Sequence, residues 1–109
     1  MGFVGGTWRV LRGQELVGEI IVEDADFPWL RGRFAPGPAF AGVKPLFDRD
    51  LELMEEQRWD EWEEVYEEIR KAVRMVAPSG PVAEFLLHVE KGEAWFRWSE
   101  EPFDESRVR

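Results

Sequence analysis

The stretch AEFLLHVEKGEAWFRWSE (83–100) sets two largely apolar runs on either side of Lys91-Gly92, and its pairing decides how the rest of the chain must be arranged. With Lys91-Gly92 as a two-residue turn, Glu90 faces Glu93, His88 faces Trp95, Leu86 faces Arg97 and Glu84 faces Ser99. The residues between those pairs, Phe85, Leu87, Val89, Ala94, Phe96 and Trp98, are wholly apolar, so their face is the core side. A glycine-bulge turn would slip the register by one and pair His88 differently, yet each strand would keep its own inward set.

The other face of this hairpin gathers Leu86, His88, Trp95 and Arg97, an indole beside the single imidazole and a guanidinium beside an aliphatic chain. Trp and Arg are enriched at binding hot spots because they join large buried area to directional donors, and a histidine makes such a contact sensitive to pH. Trp29, Arg31 and Arg33 repeat the theme earlier in the chain. The candidate binding residues are therefore Leu86, His88, Trp95, Arg97, Trp29 and Arg31. The plainer alternative is that helices or the C-terminal tail cover this face.

Upstream, WRVLRGQELVGEIIV (8–22) reads as a hairpin turning at Gly13-Gln14, with Leu16, Gly18, Ile20 and Val22 facing the core and Val17, Glu19, Ile21 and Glu23 facing away. Asp24, Asp26 and Pro28 supply a turn, and WLRGRF (29–34) forms a third strand with Leu30 and Phe34 on one side and Trp29, Arg31 and Arg33 on the other. APGPAF (35–40) breaks the strand pattern. Pro45 suits the first turn of a helix, which places a first helix from Lys44–Leu46 to about Glu56 with Phe47, Leu51 and Met54 on one face; a longer helix kinked at Pro45 is the alternative.

In QRWDEWEEVYEEIRKAV (57–73) the residues Trp59, Trp62, Tyr66, Ile69, Val73 and Val76 recur at steps of three and four, the stripe of an amphipathic helix ending by Ala77. Trp59 and Trp62 are read as core or sheet-covering anchors, and the crowd of carboxylates as a solvated face whose order, acids first and Arg70, Lys71 and Arg74 last, complements the helix dipole. The resulting fold class is α+β: a mostly antiparallel sheet of five to six strands in the order βββ-αα-β(β)β, the optional strand being Arg74 to Ala77, with two helices on one face. The 109 residues match one domain, with loose ends expected at 1–6 and 102–109.

Composition narrows the function classes. The net charge of −9 repels nucleic-acid backbones and anionic membranes and attracts basic partners. With no cysteine there are no disulfides, thiolate metal sites or cysteine nucleophile, as is usual in a reducing cytoplasm. No apolar run approaches the roughly 18–20 residues that span a bilayer, the start lacks the marks of a signal peptide, and Gly6 stands where a myristoylation motif needs Ser or Thr. The expected location is the cytoplasm.

One histidine, no His-Glu-x-x-His spacing and no EF-hand loop leave no metal or cofactor site to name, although Asp60/Glu64, Glu63/Glu67 and Glu64/Glu68 are carboxylate pairs on one helix. The few hydroxyls, Ser79, Ser99, Ser106 and Thr7, sit in no nucleophile elbow, and no catalytic residue is assigned.

WRVLR (8–12), FPWLRGRFAPGPAF (27–40), VKPLF (43–47) and AEFLLHVEKGEAWFRWS (83–99) resemble the pattern of a family of small hypothetical proteins of GC-rich bacteria. The resemblance spans most of the chain and implies a shared fold, with no activity to carry over. The acidic, Trp-rich character is also similar to small bacterial immunity proteins that block a toxin. The expected function is a non-enzymatic module that binds a protein partner, basic by charge complementarity, or a second copy of itself, and the alternative is a ligand-binding protein or enzyme with a sheet–helix pocket near His88. A nucleic-acid mimic is the third class, and it needs helix acids spaced like phosphates.

Overall fold

In a computed structural model, which describes residues 4–26 and 28–99, the order is β1 (Thr7–Arg12), β2 (Glu15–Asp26), β3 (Trp29–Pro36), α1 (Phe40–Glu55), α2 (Trp59–Ala72), β4 (Arg74–Ala77), β5 (Gly80–Pro81), β6 (Glu84–Glu90) and β7 (Glu93–Ser99). All seven strands join one antiparallel sheet, ordered β5-β4-β1-β2-β3-β7-β6. The class is the expected α+β, with more strands than expected. Arg74–Ala77 is a strand, and Gly80–Pro81, for which no strand was expected, adds a two-residue edge strand.

The C-terminal hairpin has the expected register, Glu90 opposite Glu93, His88 opposite Trp95 and Leu86 opposite Arg97. Lys91 and Gly92 both adopt positive φ, 51° and 80°, as a two-residue turn that follows the strand twist requires. Its inner face joins one core with Trp8, Val10, Ile20, Val22, Leu30 and Phe34. Trp8 on β1 lies 4.8 Å from Phe96 and 5.3 Å from Trp98 on β7, ring to ring. Because β2 and β3 separate those strands in the sheet, that contact requires the sheet to curl.

Two bulges shape the curl. One between Val10 and Leu11 sets Leu11 opposite Leu16 and Val10 opposite Gly18, so Val17 is the extra residue. It turns Val17 into the core and leaves Leu16 half-buried, the reverse of strict alternation. The other falls between Val22 and Asp24, and β2 runs on to Asp26 where a turn was expected. Opposite it, Gly32 lets β3 press against β2: a Cβ there would meet the Ile21 carbonyl oxygen at 2.1 Å. At Gly18 a Cβ would meet the Phe34 ring at 2.3 Å, so the ring lies where a side chain would be.

Helix α1 starts at Phe40, ahead of the expected Lys44–Leu46, with Pro45 inside it. Pro45 and Ala41, whose carbonyl loses its usual N–H partner, both face solvent, which makes the proline tolerable. The buried stripe is Val43, Phe47, Asp50 and Leu53, and the expected Leu51 and Met54 are only half-buried. The helix closes with Gln57 at φ 59°, its N–H donating to the Met54 carbonyl and that of Arg58 to the Leu53 carbonyl, a left-handed cap of the kind glycine favours. Helix α2 buries Tyr66 and Ile69, with Trp62, Val65 and Ala72 packed half-buried beside them. Trp59, expected as an anchor, is 51% exposed because it opens the helix and overhangs the core.

The helical hairpin lies along β6, the outer strand of the sheet. The Tyr66 hydroxyl accepts from the Leu87 N–H at 2.6 Å and donates to the Phe85 carbonyl at 3.2 Å, satisfying edge groups that sheet pairing leaves open. Burial pushes the Tyr66 phenol well above its usual range, so it stays neutral and can serve both bonds. At the N-terminal end, Gly5 donates to the Val22 carbonyl and Val22 to the Gly6 carbonyl, so these two residues are tied to the sheet. The expectation for 102–109 lies outside the described residues.

Two substitutions test this account by urea unfolding. Gly32→Ala is expected to cost about 2 kcal/mol or more, since backbone rather than a yielding side chain blocks the methyl. Gln57→Gly is expected to stabilise by about 0.5–1 kcal/mol by relieving the left-handed conformation.

Candidate functional site

Strand pairing brings the candidate residues together on the outer face of β3, β7 and β6. Arg31 stands opposite Trp95, and Trp95 opposite His88, in one row. Arg97 and Leu86 face each other in the next row. Trp29 reaches over from β3 to stack on His88 with ring centroids 6.0 Å apart, and Trp95 lies 5.5 Å from the same imidazole. Arg31 is exposed, while Trp29, Leu86, Trp95 and Arg97 are half-buried.

His88 departs from the outward, open placement expected for it. Only 4% of it is exposed, because α1 and α2 reach past the edge of β6 and close over the ring. Its Nδ1 stands 2.7 Å from Oδ2 of Asp50, and the indole Nε1–H of Trp62 donates to Oδ1 of the same carboxylate at 2.6 Å. Asp50 is completely buried. An indole N–H only donates, so Oδ1 accepts from Trp62, and an imidazole N–H at Nδ1 would complete the pairing at Oδ2. That holds the ring and leaves Nε2 as its second nitrogen, which meets no hydrogen-bonding group among the described residues.

Sequence reasoning missed Asp50. The available signal was a carboxylate three residues from both Phe47 and Leu53, on the apolar stripe of α1. A buried charge needs partners, and here both oxygens have one. Trp62 extends the assembly as a ring series, 5.4 Å from Tyr66 and 6.0 Å from Trp59, with Tyr66 in turn 6.4 Å from His88. Glu84, also buried, is met by Arg70 at 2.7 Å, which tethers α2 to β6.

Chemically, a carboxylate that orients an imidazole is half of an acid–base apparatus. No hydroxyl stands at Nε2 among the described residues. Two clefts beside it, one of about 260 Å³ on the outer face and one of about 300 Å³ between α2 and β6, are lined by its neighbours and not by His88 itself. Among the described residues no group of three potential ligands is placed to hold a metal ion, and no helix is long and apolar enough to cross a membrane. Comparison with protein-family models, curated proteins and solved structures finds no match to this chain, so the site is read from its own geometry.

Removing the Asp50 carboxylate strands both the imidazole and the indole donor. Asp50→Ala is expected to cost about 3–5 kcal/mol in denaturant unfolding. Asp48→Ala, which breaks only an exposed pair with Lys44, is expected to cost less than about 1 kcal/mol.

Proposed function

We propose that the protein is a small non-enzymatic binding module that meets a protein partner through the outer sheet face of Trp29, Arg31, Trp95 and Arg97, with Leu86 at its margin. The observation that carries this reading is the packing of both indoles, Trp29 stacked and Trp95 tilted, against one buried imidazole, which is itself held by Asp50. Large side chains fixed before contact lose little entropy when a partner covers them, and this is what distinguishes an anchor from a merely exposed ring. His88 then acts as the mount of the surface rather than as part of it.

Charge supports the choice of partner. At −9 the chain draws basic proteins toward it and raises their encounter rate. The many carboxylates of α2 add to the field without forming a contact site of their own, because they face water along the helix.

The second reading, a ligand-binding protein or enzyme near His88, is favoured by the oriented ring and its remaining nitrogen. Against it, neither of the two clefts beside the ring, as lined by the described residues, includes His88. The two readings separate on a single residue. In affinity capture from a native lysate, Trp95→Ala is expected to lower recovery of the specific partner by about tenfold or more, as loss of a hot-spot residue does. Unchanged recovery and an unchanged oligomeric state would rule out the interaction face.

A further inference from the structure

The outer face holds a shallow cleft of about 260 Å³ lined by Asp24, Asp26, Trp29, Leu30, Arg31 and Trp95. The second bulge of β2 creates it. Strict alternation from Ile20 and Val22 would carry Asp24 and Asp26 to the inner side of the sheet. The extra residue, Glu23, resets the phase, so that Asp24 pairs with Arg31 and Asp26 with Trp29, all four on the outer face. Two carboxylates thereby come to stand beside two indoles.

Neither carboxylate is neutralised. Among the described residues neither Asp24 nor Asp26 forms an ion pair; Glu23 with Arg33, at 3.7 Å, is the pair that does form at this end of β2. Arg31, although opposite Asp24, makes no ion pair with it. The indole faces attract cations, and free carboxylates offer a guanidinium charge-assisted hydrogen bonds in its own plane. Both rings are braced from behind by His88, so the cleft is shaped before anything enters it.

We infer that this cleft receives an arginine side chain of the basic protein partner, its guanidinium stacked on Trp29 and Trp95 and paired with Asp24 and Asp26. The inference rests on the interaction-module reading and names what the partner presents. Among the described residues that line the cleft Arg31 is the like charge, so it weakens the site for a cation and would be essential for an anion.

The test uses the full chain and N-acetyl-arginine methylamide, with the derivatives of citrulline, a neutral isostere, and of lysine for comparison, followed through the indole N–H resonances of Trp29 and Trp95. The arginine derivative is expected to shift both resonances saturably at millimolar concentration, citrulline not to, and lysine to bind more weakly. Asp24→Asn with Asp26→Asn should weaken the arginine derivative by roughly fivefold or more, and Arg31→Gln should tighten it. Equal binding of citrulline, indifference to the double substitution, or loss of binding in Arg31→Gln overturns the cationic occupant, and equal binding of lysine overturns the choice of arginine. Both variants change exposed side chains, and an unchanged thermal midpoint checks that the fold is kept. If the double variant still captures the partner while Trp95→Ala does not, the interaction face stands and the arginine cleft falls. If the double variant loses the arginine derivative while Trp95→Ala still captures the partner, the cleft stands and the wider reading falls.

Discussion

The carboxylate of Asp50 is the constraint on which the upper half of this structure depends. It is wholly buried, and each of its oxygens holds a different element: one binds the indole of Trp62 on α2 and the other the imidazole of His88 on β6. A polar group so placed is satisfied only while all three segments are assembled, which makes the arrangement cooperative. Apolar contact alone would let α1 slide along the sheet edge by a fraction of a turn. Two short hydrogen bonds to fixed donors do not.

The aromatic platform follows from that constraint. His88 would otherwise sit on an open sheet face with freedom at both torsions; held by Asp50, it presents a rigid ring to Trp95 on the neighbouring strand β7 and to Trp29 on β3, one strand further in. The buried polar group and the exposed candidate surface are therefore one device seen from two sides. Its remaining supports are the Tyr66 hydroxyl on the backbone of β6 and the Arg70–Glu84 pair, both of which bind α2 to the same strand.

Residues 83–99 were the most legible part of the chain because a two-residue turn with lysine and glycine at positive φ fixes register, and register fixes which side chains share a face. The pairing of Trp95 with His88 followed from that alternation, whereas Trp29 joins them through the pairing of β3 with β7, which alternation within each strand does not show. What alternation could not show was a break in its own period. Val17 turned inward because it is itself an inserted residue, and Asp24 outward because it follows one, and nothing local in ELVGEIIVEDAD marks where the insertions fall. The burial of His88 was hidden for another reason: it depends on two helices that reach past a strand edge, and their placement is set by Asp50, a residue that looks like one more surface acid until its neighbours Phe47 and Leu53 are seen to be core. Trp59 shows the converse, a stripe position that the helix carries beyond the end of the core.

The sheet order has an implication for biosynthesis. Strand β3 ends up in the interior of the sheet, between β2 and β7, but among the described strands β7 is translated last, after both helices. Until the ribosome delivers it, β3 is a bare margin able to recruit any stray extended peptide. Arg31 and Arg33, alternating along that margin and exposed in the finished molecule, are placed to discourage such pairing, since stacking a second nascent copy there would set like charges against each other. The guanidinium at the rim of the outer-face cleft thus also disfavours association between unfinished copies.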